Sequence, residues 1–473
     1  MENISRKKRW LILLTIVIVT FMSTLDSSIV NVALPVMAHS MNIESSKIQL
    51  VVVSYLLIIV ATILIFGKLG DMIGKARVFK YGLLIFTIGS LFCGITNSLI
   101  MLIFARIIQG IGASACMANN QGIITETFPA EKRGKALGIS GTFVALGSMT
   151  GPFLGGLITH FSSWHNIFLI NVPVGFIALY FAIKILPTEK RKLGIKLDWV
   201  GAFLFILTIV PLFYILENWE NIKINDITSI TMITMSVMSF IFFIIFELNH
   251  KSPILHLELF KNKLFSISIL CAFISFISIF CSIIILPFYL QDVRKFTPAN
   301  AGIILMAYPI ILAIIAPLSG NLSDKIGSEI LTIFGLTITS IGLFLMSTLT
   351  ETSNIYTLIT FIIIMSIGNG MFQSPNNSLV MSQAPKNRLG VAGSINALIR
   401  NLGMVFGVAL ATTLLYDRMS YKAGFKVTTY ITNRDDLFIY GMKVVFITAG
   451  IISLFGALLT FIRYLSGYKK RVQ

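Results

Sequence analysis

Apolar stretches long enough to cross a lipid bilayer recur along the whole chain. A bilayer core about 30 Å thick requires roughly 20 apolar residues per helical crossing, and polar clusters bound each stretch. Hydrophobic residues make up 56% of the 473 residues and charged residues only 12%, with a mean hydropathy of +0.87. The sequence therefore predicts an all-α integral membrane protein with about fourteen spans. The predicted spans lie near residues 10–36, 47–70, 78–96, 99–121, 135–159, 166–186, 198–217, 226–247, 264–290, 300–320, 329–349, 354–376, 389–416 and 438–464.

The distribution of charge predicts the orientation of the chain. The net charge is +17, from 37 basic and 20 acidic residues. If the basic cluster at residues 6–9 is cytoplasmic, roughly 25 basic residues fall in cytoplasmic loops and about 8 in outer loops. This asymmetry predicts a multi-pass cell-membrane protein with both termini in the cytoplasm. It also argues against a nucleic-acid partner, because no basic face is interleaved with aromatic residues on a soluble domain.

The reactive residue types lack the spacing that catalytic or metal sites need. The four cysteines lie inside apolar spans without a CxxC pair, and the five histidines lie in loops or at span ends without metal-ligand spacing. Neither a Walker loop nor a nucleophile elbow occurs in the sequence. We therefore expect no metal and no cofactor, and a membrane enzyme is disfavoured.

An internal repeat divides the chain. The segment GKLGDMIG at 67–74, between spans 2 and 3, is echoed by GNLSDKIG at 320–327, between spans 10 and 11. A second echo aligns Asn119 and Asn120 with Asn376 and Asn377. The repeat predicts two six-helix bundles, residues 1–190 and 264–473, separated by an inserted helix pair and linker at 191–263. Parallel repeats place a binding site at their interface near the bilayer midplane, which favours a transporter over a channel, since no span carries a filter sequence.

Five segments, in order along the chain, resemble the motifs of one family. LDSSIVNVALP at 25–35 is similar to the first-helix pattern LDxTIVNVALP, and GKLGDMIGKAR at 67–77 to the loop signature GxLaDrxGrkr. RIIQGIG at 106–112 resembles RxxQGxG, GSMTGPFLGG at 147–156 the antiporter motif of helix 5, and WHNIFLINVPVG at 164–175 the segment WRWxFxINVPxG. The chain thus resembles the fourteen-span drug:proton antiporter family of the major facilitator superfamily. The resemblance implies the major facilitator fold with two additional central helices, in a monomeric bacterial protein whose multidrug efflux is driven by the proton gradient.

Asp26 is the predicted proton carrier. A carboxylate within a span is costly in lipid and normally faces a cavity or a partner. Burial favours its neutral form and a nearby cation favours its charged form, so it can load and release a proton. Asp26 lies about 24 Å along span 1, at a depth similar to that of Arg106 on span 4, so we expect an ion pair or a water-bridged contact. The alternative is a permanent structural pair, which is disfavoured because Ile279 and Ile363 occupy the corresponding positions of the second repeat.

The two Asp-bearing loops are predicted to act as gates. Their glycines permit a tight turn between helices, and each aspartate can cap a helix or accept from an arginine of the other bundle. The resemblance implies that these loops latch the outward-open state, although Met72 stands where the family usually has arginine. Simple loop structure is the alternative for the second loop. The predicted gating residues are Gly67, Asp71, Gly74, Arg77, Gly320, Asp324 and Gly327.

Glycines at every fourth residue of span 5 predict close approach of a neighbouring backbone. In the resembling family this pattern, together with a proline that kinks the helix, is typical of exporters; ordinary tight packing is the alternative. The residues are Gly147, Gly151, Pro152, Gly155 and Gly156.

Polar residues within the spans are candidates for a substrate cavity, although many amides bond to neighbouring backbone. The candidates are Asn31, Asn119, Asn120, Gln121, Gln373, Asn376, Asn377, Asn396 and Arg400. The groups that can ionise at mid-span are one acid and two arginines, whereas a pocket for permanent cations would need additional carboxylates. We therefore expect neutral, zwitterionic or anionic amphiphiles ahead of quaternary cations.

The sequence as a whole predicts a proton-coupled secondary exporter of small amphiphilic compounds that works by alternating access. The alternative is a dedicated exporter of one endogenous lipid, siderophore or metabolite, because the motifs do not separate broad from narrow specificity.

Overall fold

The computed structural model describes residues 5–187, 198–217, 226–250, 253–383 and 389–472, and the regular elements in these ranges are helices. The first bundle contains α1 (Arg6–Met41), α2 (Ser45–Ile48), α3 (Leu50–Ile73), α4 (Lys75–Ile95), α5 (Leu99–Thr127), α6 (Ala130–Phe161), α7 (Asn166–Leu169) and α8 (Asn171–Ile185). The inserted pair is α9 (Trp199–Glu217) and α10 (Ile227–Asn249). The second bundle contains α11 (Lys263–Phe288), α12 (Pro298–Leu305), α13 (Ala307–Ile326), α14 (Ser328–Met346), α15 (Ile355–Ser382), α16 (Leu389–Ala423) and α17 (Asp435–Val472).

Thirteen helical segments of the described residues are long and apolar enough to cross a membrane. Three of them are interrupted spans formed by α2 with α3, α7 with α8, and α12 with α13. Residues Trp199–Ile215 form a shorter apolar helix, which lies at the seventh of the fourteen predicted spans. Large apolar side chains such as Phe92, Phe104 and Phe240 point outward and are about half exposed, as lipid-facing residues should be. The predicted all-α membrane fold is confirmed.

The repeated glycine turns have the same backbone conformation in both bundles. Gly74 joins α3 to α4 with φ 107°, and Gly327 joins α13 to α14 with φ 91°. An L-residue rarely adopts such angles, so glycine is required where one span must turn directly into the next. The match confirms that the two loops are structurally equivalent.

Close helix packing also repeats. A Cβ atom placed on Gly112 of α5 would lie 2.5 Å from the carbonyl oxygen of Gly82 in α4. In the second bundle, a Cβ on Gly368 of α15 would lie 2.7 Å from the carbonyl oxygen of Gly335 in α14. Both bundles therefore bring their third and fourth spans into backbone contact through glycines.

These contacts fix the register between the repeats. In the first bundle, the backbone nitrogen of Gln109 lies 2.5 Å from the Cβ position of the next glycine along the third span. In the second bundle, the backbone nitrogen of Met365 lies 2.7 Å from the Cβ position of the equivalent glycine, so Gln109 and Met365 are equivalent residues. The residue equivalent to Arg106 is therefore Ile362, which is fully buried. The sequence repeat had predicted Ile363 as the equivalent of Arg106 and is wrong by one residue. The second bundle nevertheless has an uncharged residue at the position equivalent to Arg106.

The two bundles meet along two seams. At one seam α3 contacts α16, and α9 of the inserted pair packs against both helices; we call this the covered seam. At the other, which we call the open seam, α6 contacts α12 and α13. The predicted domain boundary at 190/191 lies outside the described residues, and the boundary at 263/264 falls one residue after the start of α11.

Hydrogen bonds join the bundles at one end of the molecule. We call the side where α1 begins the terminal side and the side where α1 ends the distal side. On the distal side, His39 Nε2 lies 2.9 Å from Oδ1 of the buried Asp292. The backbone N–H of Ser46 donates to the carbonyl oxygen of Thr428 at 3.1 Å. The bundles are therefore closed against each other on the distal side.

Candidate functional site

Asp26 lies within α1, is fully buried, and is bonded to side chains of α5 and α8 of the first bundle. Arg106 Nη1 on α5 donates to Asp26 Oδ2 at 2.6 Å. Gln109 Nε2 and Asn171 Nδ2 donate to Asp26 Oδ1 at 2.8 and 2.9 Å. The carboxylate is thus held by one cation and two neutral amides. The predicted contact between Asp26 and Arg106 is present and direct.

Arg106 is as buried as its partner, at 1% exposure. Its Nη1 also donates to Gln109 Oε1 at 2.5 Å, and its Nε donates to the backbone carbonyl of Val51 at 3.0 Å. The guanidinium carbon lies 4.0 Å from the centre of the Tyr55 ring, where the ring face attracts a cation. Asp26 is therefore the charged partner of Arg106, and the others described here are neutral.

The cluster changes its net charge when Asp26 takes up a proton. With Asp26 ionised, the buried charges cancel. With Asp26 neutral, Arg106 keeps its positive charge, because arginine does not deprotonate in proteins. Leaving one member of a buried pair uncompensated costs several kcal/mol, so a proton on Asp26 strains this arrangement of α1 and α5.

Sequence reasoning found the two charges but missed the amides that orient them. Gln109 belongs to the RIIQGIG segment and Asn171 to the WHNIFLINVPVG segment, both of which the sequence singled out. Their side-chain roles were not assigned, since spacing along separate helices does not say which side chains converge. Here α5 and the start of α8 bring both amides to the same carboxylate oxygen.

The first gating loop forms its ion pairs within its own bundle. Asp71 lies 3.4 Å from Lys75, one turn later, and Lys75 also pairs with Glu126 of α5 at 2.5 Å. Gly74, the N-cap residue of α4, has no side chain that could cap the helix, and the ion pair given for Asp71 is the one with Lys75 of its own bundle, so its predicted role as a gate stays a prediction. Arg77 is exposed.

The second gating loop matches the first in its backbone. Gly320 faces Ser374 on α15 as Gly67 faces Ala118 on α5. Asp324 lies in α13, outside the residues whose side chains are described.

The glycines of α6 form the surface on which α1 packs. A Cβ on Gly147 would lie 2.1 Å from Thr24 Oγ1, and one on Gly151 would lie 1.8 Å from Ser28 Oγ. On Gly155 it would lie 2.7 Å from the carbonyl oxygen of α1 residue 29. Glycine is therefore needed along this stripe for α6 to approach the helix that carries Asp26.

A different face of α6 contacts the second bundle. A Cβ on Gly156 would lie 2.4 Å from the carbonyl oxygen of Pro298, at the start of α12. Reciprocally, a Cβ on Gly302 of α12 would lie 2.3 Å from the carbonyl oxygen of Pro152. α6 thus touches the Asp26 helix on one face and the opposite bundle on the other.

Several candidate cavity amides are used inside the bundles. Asn31 Nδ2 donates to the carbonyl of Ser27 on its own helix at 3.2 Å, and Asn119 Nδ2 donates to the carbonyl of Phe66 at 3.2 Å. Both asparagines are buried. These hydrogen bonds tie both side chains to backbone carbonyls of their own bundle.

Asn120 and Asn376 have equivalent roles in the two bundles. Asn120 Nδ2 donates to Thr20 Oγ1 at 2.9 Å, and Asn376 Nδ2 donates to the carbonyl of Ser268 at 3.0 Å. Each ties the fourth span of a bundle to its first span. The sequence echo, which aligned Asn119 with Asn376, is wrong by the same single residue as the offset at Arg106.

Other candidates lie between the bundles. Gln121 of α5 is exposed, and its Oε1 lies 2.5 Å from where a Cβ would stand on Gly393 of α16. Asn396 Nδ2, one turn further along α16, donates to Oδ1 of the exposed Asn377 at 3.0 Å. Gln373 and Arg400 are partly buried. Gln121 of the first bundle therefore reaches α16 of the second bundle one turn from the Asn396–Asn377 pair.

Comparison with known proteins agrees with this architecture. The sequence profile of the Major Facilitator Superfamily matches residues 16–408 and 268–472. The riboflavin transporter RibZ of Clostridioides difficile (strain 630) is 36% identical over 427 residues, covering 89% of this chain and 92% of that protein. Multidrug resistance protein 3 of Bacillus subtilis (strain 168) is 32% identical over 399 residues, covering 83% and 77%.

A solved structure supports the same fold. A POT family transporter in complex with 5-aminolevulinic acid superposes with a TM-score of 0.69 at 16% identity, covering 97% of this chain and 96% of the other. The helices, the sequence profile and the relatives agree on a multi-pass plasma-membrane transporter of small molecules that is not an enzyme. The chain belongs to the Major Facilitator Superfamily.

Proposed function

We propose that the protein is a proton-coupled exporter of small amphiphilic compounds, a drug:proton antiporter of the fourteen-span type, acting as a monomer and driven by the proton gradient. The observation that carries the proposal is the fully buried Asp26 carboxylate, bound by Arg106 and by two neutral amides. The equivalent of Arg106 in the second bundle is an isoleucine, so the charge pair is not part of the repeated architecture.

Proton binding at Asp26 supplies the step that couples to movement. Once Asp26 is neutral, Arg106 retains only neutral acceptors, Gln109 and the Val51 carbonyl. A conformation in which Arg106 gains water or a substrate is then favoured, because ligand and proton shift an equilibrium by their differential affinity for its two states. Return of Asp26 to its charged form restores the pair and the present conformation.

α6 is the element that transmits this shift. Its glycine stripe lies against α1, where Gly151 faces Ser28, two residues from Asp26, while its other face lies against α12 across the open seam. A small movement of α1 therefore changes a contact between the bundles directly. With the terminal side assigned to the cytoplasm by the positive charges, the distal contacts of His39 and Asp292 close the outer side in this state.

A dedicated exporter of one metabolite is the second candidate. The observation that favours it is the 36% identity to a protein named as a riboflavin transporter, over 89% of this chain. The same Asp26 cluster would serve either specificity, so the two candidates differ in the range of substrates and not in the coupling step.

The test uses sealed vesicles with an imposed pH gradient and a compound selected by drug-susceptibility measurements in an efflux-deficient host. Asp26→Asn is expected to abolish uphill, gradient-driven transport, while Asp417→Asn, at the exposed distal end of α16, leaves it unchanged. Full uphill transport by Asp26→Asn would remove this residue from the coupling step. Transport by the wild type that persists after every proton gradient is collapsed would overturn proton antiport itself.

A further inference from the structure

Three arginines lie deep within the membrane-spanning helices, and they differ in burial and in their partners: Arg106 and Arg463 are fully buried, whereas Arg400 is partly buried. Arg106 pairs with Asp26 at 2.6 Å. Arg463, at 1% exposure, donates to Ser268 Oγ at 2.8 Å and to Thr332 Oγ1 at 2.7 Å. In the part of the chain that the structure describes, Arg400 forms no hydrogen bond and no ion pair, and its buried Nε has no acceptor.

The position of Arg400 places it beside the inter-bundle amides. It lies eleven residues into α16, about 16 Å along the helix from the terminal side. Gly393, Asn396 and Arg400 follow at helical spacing and share one stripe. This stripe faces Gln121 at Gly393 and bonds to Asn377 at Asn396. Arg400 therefore continues, toward mid-membrane, a wall already formed by polar groups from α5, α15 and α16.

Among the residues that the structure describes, none is a counter-ion for Arg400. Asp26 is already bound by Arg106, and α16 carries its acidic residue, Asp417, near its distal end. Arginine remains charged when buried, and an uncompensated cation in a low-dielectric site is destabilising. An anion supplied from outside the protein would therefore give the guanidinium, including its buried Nε, the acceptor that the described residues do not provide. The planar guanidinium fork matches the paired oxygens of a carboxylate, sulfonate or phosphate.

We propose that Arg400 binds an anionic group of the transported compound, with the amides of Gln121, Asn377 and Asn396 contacting its polar portion. This inference rests on the proposed transport function and names its substrate class: an amphiphile with a carboxylate-like or sulfonate-like group. The same chemistry would attract a lipid phosphate, so the experiment separates a solute from a headgroup.

The probes are 8-anilinonaphthalene-1-sulfonate and N-phenyl-1-naphthylamine, which share an aromatic body and differ in the sulfonate. Their binding is measured in phosphatidylcholine nanodiscs without a pH gradient, with empty nanodiscs as the blank. Arg400→Gln is expected to weaken binding of the sulfonate probe at least tenfold and binding of the neutral probe less than twofold. Arg400→Lys should keep part of the sulfonate affinity, and Arg418→Gln, a control on the distal end of α16, should keep all of it.

A second measurement separates ligand binding from a structural role. Arg400→Gln should raise the melting temperature of the probe-free protein, since an uncompensated charge is removed. Equal weakening of both probes, unchanged sulfonate affinity, or a lowered melting temperature would overturn the proposal. Loss of sulfonate binding in phosphatidylglycerol nanodiscs would assign the site to a lipid headgroup and would also overturn it. Because these measurements need no gradient, they are independent of whether Asp26 couples transport to protons.

Discussion

Neutralising one member of the Asp26–Arg106 pair is expected to destabilise the protein more than neutralising both. Asp26→Asn leaves Arg106 buried with neutral acceptors only, and Arg106→Gln leaves Asp26 buried with the amides of Gln109 and Asn171. Both side chains are at most 1% exposed, so water does not replace the lost partner without local opening. The double variant Asp26→Asn/Arg106→Gln has no buried charge at this site.

The magnitudes follow from this geometry. Breaking a buried pair by removing one partner costs about 3–5 kcal/mol, whereas replacing both charges is often close to neutral. The two amide donors that remain on Asp26 place Arg106→Gln near the lower end of that range. We therefore expect a coupling energy of at least about 3 kcal/mol, which corresponds to roughly 150-fold in the unfolding equilibrium constant.

The assay is unfolding by sodium dodecyl sulfate in mixed micelles at neutral pH, followed by tryptophan fluorescence for the wild type, both single variants and the double variant. The four midpoints and slopes give the coupling energy as a double-mutant cycle. If the single effects add to give the double effect within about 0.5 kcal/mol, the pair contributes no interaction energy and the argument from burial is refuted.

Two further predictions concern helix contacts. Gly151→Ala is expected to destabilise the protein by about 1–3 kcal/mol, because the added Cβ would overlap the backbone and a side chain of α1. Gly141→Ala on the same helix is the control: its Cβ meets open space, so the variant should be neutral or stabilising. The micelle unfolding assay tests both variants, and equal effects would contradict the packing argument. Asp292→Asn weakens the distal bond to His39 and should speed amide hydrogen exchange in Tyr289–Val293, while the exchange of α4 stays unchanged. Unchanged exchange in Tyr289–Val293 would show that this bond does not hold the bundles closed.

Hydropathy was sufficient for the fold because lipid forces every backbone polar group into a helix, and apolar length alone then marks the spans. The ends of the predicted spans were less accurate. α1 runs from Arg6 to Met41, beyond the predicted 10–36, because polar residues at membrane surfaces continue the helix at little cost. The interruptions between α2 and α3 and between α12 and α13 were not predicted, since hydropathy does not change where they occur.

The candidate site was predictable to the extent that charge is rare in the spans. Asp26 and Arg106 stand out as ionisable residues at matched depth, and their contact follows from two helix lengths. Gln109 and Asn171 did not stand out, because an amide within a span has many available backbone acceptors. The repeat register was wrong by one residue at Asn376 and Ile362, since loops of unequal length shift a sequence alignment while glycine contacts do not.

The inserted helix pair makes the two lipid-facing flanks of the molecule different. α9 lies over the seam between α3 and α16, whereas the α6 side has no such cover among the described helices. An amphiphile dissolved in the leaflet therefore meets a wall on one flank and the α6–α13 contact on the other. Under the proposed function, cargo that enters on that flank passes α6, which packs against the second bundle on one face and against the helix that carries Asp26 on the other, so cargo entry and movement of α1 would act on the same helix.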